Sequence, residues 1–181
     1  MKMLKKLLAI VLTGAMALTL LTACGGNAVN DKNIADALND IVKSSVAAGL
    51  TKDYTFKPRT DEQAMAKAIA ALSEAEWNTK GDGGNKFSGP VMKILGLNEG
   101  GKNETSRFVW CGAVIADEIG TAGQAYNVMN NILSKDAVNA DKLEGEPADI
   151  RYIGTALDTL TIYGKQTTVR IIVVTAPVEK K

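Results

Sequence analysis

The segment from Tyr152 to Val174 constrains the fold more than any other part of the chain. Tyr152 to Leu157, Thr159 to Tyr163 and Thr167 to Val174 are rich in Thr, Ile, Val and Tyr, residue types that suit a pleated, half-buried surface. Gly164-Lys165-Gln166 separates the last two runs and predicts the turn of a C-terminal β-hairpin. Pro177 is expected to end the last strand, because proline cannot donate to a ladder. That leaves 178–181 as a solvated tail.

The preceding sequence is mainly helical. Ile34, Ala37, Leu38, Ile41, Val42, Ser45 and Val46 recur at helical spacing over 30–49, with Asn30 or Asp31 as a start signal and Gly49 as a stop. Residues 50–59 are expected as loop or extended chain, and Pro58 argues against a central strand. Thr60 and Gln63 have capping-box spacing and predict a helix to about Trp77, with Met65, Ile69 and Leu72 on its buried stripe. A short helix over 90–96 follows, opened by Pro90 and ended by Gly96. Phe108 to Ile115 is a short apolar run suited to a buried strand. Thr121 to Leu133 predicts a helix with Ala122, Ala125, Tyr126, Met129 and Leu133 on one face. Residues 78–89, 96–106 and 136–149 are polar loops. Helices followed by an antiparallel hairpin imply an α+β domain, its helices packed on a small, mainly antiparallel sheet.

The N-terminus carries an address. Lys2, Lys5 and Lys6 precede an apolar run from Leu7 to Leu21, then Leu21-Thr22-Ala23-Cys24 and two glycines. A basic start, a short apolar stretch and small residues at a cut site make a secretory signal. About 15 apolar residues is short of the ~20 a spanning helix needs. The cysteine directly after the cut resembles a bacterial lipoprotein signal with its lipobox. That implies removal of 1–23, lipidation (diacylglyceryl plus an amide-linked chain such as palmitate) at Cys24, a tether over 24–32 and one domain over 33–177. Two or more acyl tails anchor stably where one does not, so the domain is expected at a cell membrane, facing outside the cytoplasm.

Composition narrows the chemistry. Without the three signal lysines the chain has 18 basic and 20 acidic side chains, too balanced for a nucleic-acid footprint. It has no histidine, which removes the commonest general base and the commonest zinc ligand. Cys111 is then a lone cysteine without an imidazole partner, expected as a small buried hydrophobe rather than a nucleophile. Gly96-Leu97-Asn98-Glu99-Gly100-Gly101-Lys102-Asn103 has the flavour of a P-loop but lacks its Ser or Thr, and an ordinary loop is expected there. Asp82-Gly83-Gly84-Asn85 lacks the ligands of a calcium loop. Trp77, Trp110, Tyr126 and Tyr163 are expected in the core or a cleft wall.

Several segments carry a family likeness. Helix 30–49 closes in Ala47-Ala48-Gly49-Leu50, and Phe87-Ser88-Gly89 precedes the short helix. Trp110-Cys111-Gly112-Ala113-Val114-Ile115-Ala116 leads into Gly120-Thr121-Ala122-Gly123-Gln124-Ala125-Tyr126-Asn127-Val128-Met129-Asn130, and Ile153-Gly154-Thr155-Ala156 opens the hairpin. Read in order, they resemble the CAP superfamily (cysteine-rich secretory proteins, antigen 5, pathogenesis-related 1) in its bacterial extracellular, SCP-like form. The resemblance implies a three-layer α-β-α sandwich. It also implies a cleft near Ser88, Gly89, Cys111, Gly112, Asp117 and Asp136. The family's two histidines and two acidic residues do not carry over: Ser88 or Gly89, Gly112 or Ala113, and a residue near Asp136 stand in their places.

The expectation is therefore a lipid-anchored binding or adhesion module with no catalytic residue, no metal and no cofactor. Its partners would be the membrane, through the anchor, and a small apolar ligand, a glycan or an envelope protein, with no nucleic acid. Two alternatives are a cell-envelope hydrolase using carboxylates (Glu74 and Glu76, or Asp117 and Glu118) or a Ser–Lys pair, and a structural subunit of a surface complex.

Overall fold

The computed structural model describes residues 31–77, 89–98, 103–117, 119–133, 138–139 and 142–180. Cys24 with its lipobox, Ser88, Glu118, Asp136, the Asp82-to-Asn85 loop and the Trp77 side chain lie outside the described residues. The elements are α1 (Asp31–Ala47), β1 (Thr55–Pro58), α2 (Thr60–Ala70), α3 (Glu74–Trp77), α4 (Gly89–Ile94), β2 (Arg107–Ile115), α5 (Thr121–Leu133), β3 (Glu146–Pro147), β4 (Ile150–Ile162) and β5 (Lys165–Glu179). The sheet order is β1-β4-β5-β2, with β3 added to the end of β5. β1 runs parallel to β4 and every other pairing is antiparallel. The last strand of the chain is thus a central one, paired with β4 on one side and β2 on the other.

Alternation along β5 sorts the core into two layers. Ile172, Val174 and Ala176 face α1 and α5, beside Ile34, Leu38, Trp110, Val128 and Met129. Ile171 and Val173 face α2 and α4, beside Ala66, Ile69, Val91 and Leu95. Each such aliphatic side chain contributes about 1.5–3 kcal/mol on burial. Strands buried on both faces read as continuous apolar runs, which is what Val169 to Val174 is, apart from Arg170. The protein is an α+β sandwich of helix, sheet and helix layers closed by a C-terminal hairpin.

Local details depart from expectation in instructive ways. Helix α1 begins at Asp31 among the described residues, so residues 31 and 32, expected in the tether, are helical. It stops at Gly49, which has φ +68°. Leu50 N–H donates to Ser45 O and Gly49 N–H to Val46 O, a Schellman pair that needs a left-handed residue. Residues 55–58 form a true strand, at the sheet edge where Pro58 is tolerated. The helix expected over 60–77 breaks at 71–73, between α2 and α3. Its capping box does not form: Arg59 is the N-cap, without a side-chain cap bond, and Gln63 donates to Asp31 instead. The buried face of α5 is Gln124, Ala125, Val128, Met129 and Ile132, and Leu133 is exposed.

Strand β4 is continuous through Asp158, which stays in register with Val169. The hairpin turns at Tyr163 (φ +51°) and Gly164 (φ +77°), one residue earlier than expected. Tyr163 is fully exposed rather than part of a core. Strand β5 runs through Pro177 to Glu179, pairing with β3. Proline fits there because its carbonyl is what the neighbour uses, accepting from Ala148 N–H. Gly96 closes the turn after α4, with Leu97 N–H donating to Met92 O, so the P-loop-like stretch begins at the end of a helix.

Side chains finish the sheet margins. Asn39 exchanges two hydrogen bonds with the backbone of Phe56 on β1. Asn139 accepts from Val109 N–H and donates to Arg107 O on β2. Glu74 accepts from Thr161 N–H on β4, and Asp117 from Thr168 N–H where β2 runs out. Such blunting keeps open edges from pairing with other chains.

Candidate functional site

Strand β1 covers β4 only as far as Ile153. Beyond that point the margin of β4 is met by two helix starts. Helix α2 begins straight after β1 and crosses Gly154, where any Cβ would collide with the backbone of Glu62 and Gln63. Helix α1 delivers Asp31 from the other face. Between them lies an open cleft of about 280 Å³ lined by Asp31, Lys32, Pro58, Arg59, Thr60 and Gln63.

The cleft wall is a polar relay that wraps the sheet margin. Asp31 Oδ1 accepts from Thr155 N–H at 2.9 Å and from Thr155 Oγ1 at 2.6 Å, and its Oδ2 accepts from Gln63 Nε2 at 2.8 Å. Thr155 Oγ1 also accepts from Arg170 Nη1 at 3.0 Å, using a hydroxyl as donor and acceptor at once. Arg170 Nε donates to Gln124 Oε1 at 2.9 Å, and Gln124 Nε2 donates to Ile119 O. Asp31, Thr155, Arg170 and Gln124 are each at least nine-tenths buried, and each finds the partner that burial demands.

Beneath the same cleft lies a carboxylate. The Glu62 side chain is fully buried. Its Oε2 accepts from Arg59 Nε at 2.6 Å, while Oε1 accepts from Arg59 Nη2 and, at 2.6 Å, from Thr175 Oγ1. Burial pushes this carboxyl up, but the hydrogen bonds from Arg59 and Thr175, with the guanidinium charge, outweigh it and hold it below the ordinary Glu range. The pair is bidentate, the strong geometry for Arg and carboxylate. The Arg59 Cζ stands 3.9 Å over the Tyr152 ring, which fixes the plane of the guanidinium. These contacts occupy Nε and Nη2, and Nη1 is the edge they leave over.

Such a constellation positions hydrogen bonds more readily than it moves protons. Glu62 is ionised and accepts only; Arg59 is held cationic by it. Thr60, Gln63 and Lys32 add donors at the rim. No group of three or more His, Cys, Asp or Glu that could hold a metal occurs among the described residues.

Of the residues expected to line a cleft, the described ones, Gly89, Cys111, Gly112 and Asp117, are not among those lining this one. Cys111 packs in the α2–α4 layer with Val91, Met92 and Val173, and burial pushes its thiol up to about 12, the reverse of an activated nucleophile. Gly112 is turned to the other layer, where a Cβ would lie 2.8 Å from Trp110 Cη2. Gly89 is exposed at the start of α4, and Asp117 is bound to Thr168 at a strand end. The segments around Val91, Val109 to Cys111 and Val138 do meet, with Val138 N–H donating to Val109 O, but as packed core. Glu76 closes on Ser73 within its own turn.

Sequence reasoning passed over Asp31, Arg59, Glu62, Gln63, Gln124, Thr155 and Arg170 as site residues. One signal was present. Arg170 interrupts an apolar strand and Gln124 stands beside Ala125 on a helix that packs inward, and a buried polar residue needs a partner. Arg151 is a second buried cation, its Cζ 3.9 Å from the Tyr54 ring centre and 5.5 Å from that of Phe108.

No protein-family model matches this chain, and neither a curated protein nor a solved structure matches it significantly.

Proposed function

We propose that this chain is an exported, lipid-tethered binding module that holds a polar ligand without turning it over. The carrying observation is the locked chemistry of the cleft: Arg59 is bound to Glu62 and Gln63 to Asp31, so its charged walls are preset for recognition. The address rests on the basic start, the apolar run and Leu21-Thr22-Ala23-Cys24. The CAP-like reading of the scaffold rests on the sequence segments from Ala47 to Ala156.

The ligand class that suits the rim is a glycan or another hydroxyl- and carboxylate-bearing envelope component. Donors from Arg59 Nη1, Thr60, Gln63 and Lys32 meet one acceptor, Asp31, over the apolar ring of Pro58. An apolar ligand would cover this polar rim without using its remaining hydrogen-bonding capacity, which is costly.

The test is calorimetric titration of the purified mature chain with soluble envelope glycan fragments, with the mixture analysed chromatographically afterwards. Saturable binding weakened about tenfold by Thr60→Ala, with intact fragments recovered, supports the reading. Cleaved fragments, or stoichiometric zinc in the purified protein, would overturn it.

A further inference from the structure

The β4–β5 hairpin beyond Thr159 and before Thr168 is a two-stranded ribbon. Strand β1 stops at Ile153 of β4, and β2 stops at Val169 of β5. At its tip Tyr163 is fully exposed and holds φ +51°. Two-residue turns of this kind favour Asn or Gly at both positions. A tyrosine there has the steric cost of a left-handed L-residue, and its full exposure leaves the ring without burial in return. An uncompensated backbone outlier is a pointer to a role outside the fold.

The direction of α1 says where that role lies. Asp31 meets Thr155, and Asn39 meets Phe56, which stands opposite Arg151. Helix α1 therefore runs antiparallel to β4, and its N-terminus points toward the hairpin turn. Cys24 is seven residues before Asp31, within ~25 Å of it when the chain is fully extended. Tyr163 is eight residues beyond Thr155, about 26 Å along the strand. A stretch of that length is long enough for the anchor to lie at the level of the fingertip.

We infer that the hairpin tip is a second membrane contact: Tyr163 enters the lipid–water interface beside the acylated Cys24. This rests on the lipid-anchor reading above. Tyrosine is suited to that depth, with an apolar ring and a hydroxyl that stays wet. One anchor leaves a tethered domain free to tumble; two contacts at one end set its orientation.

The experiment uses the lipidated chain in vesicles of phosphatidylglycerol and phosphatidylethanolamine. An environment-sensitive fluorophore is attached at Lys165→Cys or, in a second protein, at Ala48→Cys at the far end of α1. Cys111 is buried and Cys24 acylated, so each label goes to one place. Quenching by nitroxide lipids several-fold stronger at 165 than at 48, and reduced at least twofold when Tyr163→Asn is added, supports the inference. Equal quenching at the two sites in vesicles that retain the chain overturns it, as does indifference to Tyr163→Asn, and either leaves the anchor standing. A mature chain with an unmodified thiol at Cys24 that fails to float with vesicles overturns both.

Discussion

Asp31, the first residue of α1, bonds both the backbone nitrogen and the hydroxyl of Thr155 through a single carboxylate oxygen. One side chain thereby stands in for the strand that β4 lacks on that side. It also fixes where α1 begins and one wall of the cleft.

Replacing Asp31 by Ala leaves a buried N–H and a buried hydroxyl without their acceptor. Each such loss costs about 1–3 kcal/mol. Urea denaturation of Asp31→Ala is expected to show a lower midpoint, corresponding to about 2 kcal/mol or more of lost stability, with little change in slope. Asp31→Asn, which keeps an acceptor, is expected to lose less.

Glu62 makes stability depend on acid. Its folded carboxyl lies below the ordinary value, whereas in the unfolded chain it titrates near about 4.3. Its contribution is therefore complete above that value and is lost as pH falls through the folded one. Thermal melts from pH 7 down to pH 3 should show a steeper decline for the native sequence than for Glu62→Gln. The variant should already be about 2 kcal/mol less stable at pH 7, because Arg59 then faces a neutral partner. Parallel curves would remove Glu62 as the source.

Tyr163→Asn should make the domain more stable, by about 0.5–1 kcal/mol, because asparagine accepts the left-handed turn more readily. A raised Tm with unchanged far-ultraviolet circular dichroism is the expected result. Few surface substitutions are expected to stabilise a fold while weakening its function, which makes this one diagnostic.

Cys111 should resist thiol reagents in the native protein. With its thiol pushed up to about 12 and its side chain packed against Val91 and Val173, alkylation at pH 8 should run at least ~100-fold slower than in denaturant. Rapid native labelling would show that the α2–α4 layer opens.

Much of the fold was legible where one periodicity governed a segment. Ile34, Leu38, Ile41 and Val42 fall on one face of α1, and that face is buried. Val169 to Val174 is buried on both sides because it is central. Prediction slipped where a long-range partner competed with a local one. Gln63 has the spacing to cap its own helix, yet Asp31, 32 residues away, takes its amide. Asp158 looks like a strand breaker, yet the ladder on β5 carries the strand past it.

The candidate site was hidden for the same reason. Asp31, Arg59, Thr155 and Arg170 come from α1, the β1–α2 junction, β4 and β5, and meet only once the margin of β4 is built. Local patterns do not encode such meetings. What the sequence does show is each polar residue out of phase with its apolar neighbours, as Arg170 is between Val169 and Ile171.

Strand β5 is the last to be synthesised, yet every long strand pairing except that of β1 depends on it. Until its residues emerge, neither β4 nor β2 has its main neighbour, and the two hydrophobic layers have no floor. A growing chain thus stays open until those residues are made, since distant contacts form late. On the proposed lipoprotein reading, delayed closure would keep the polypeptide fit for passage across a membrane.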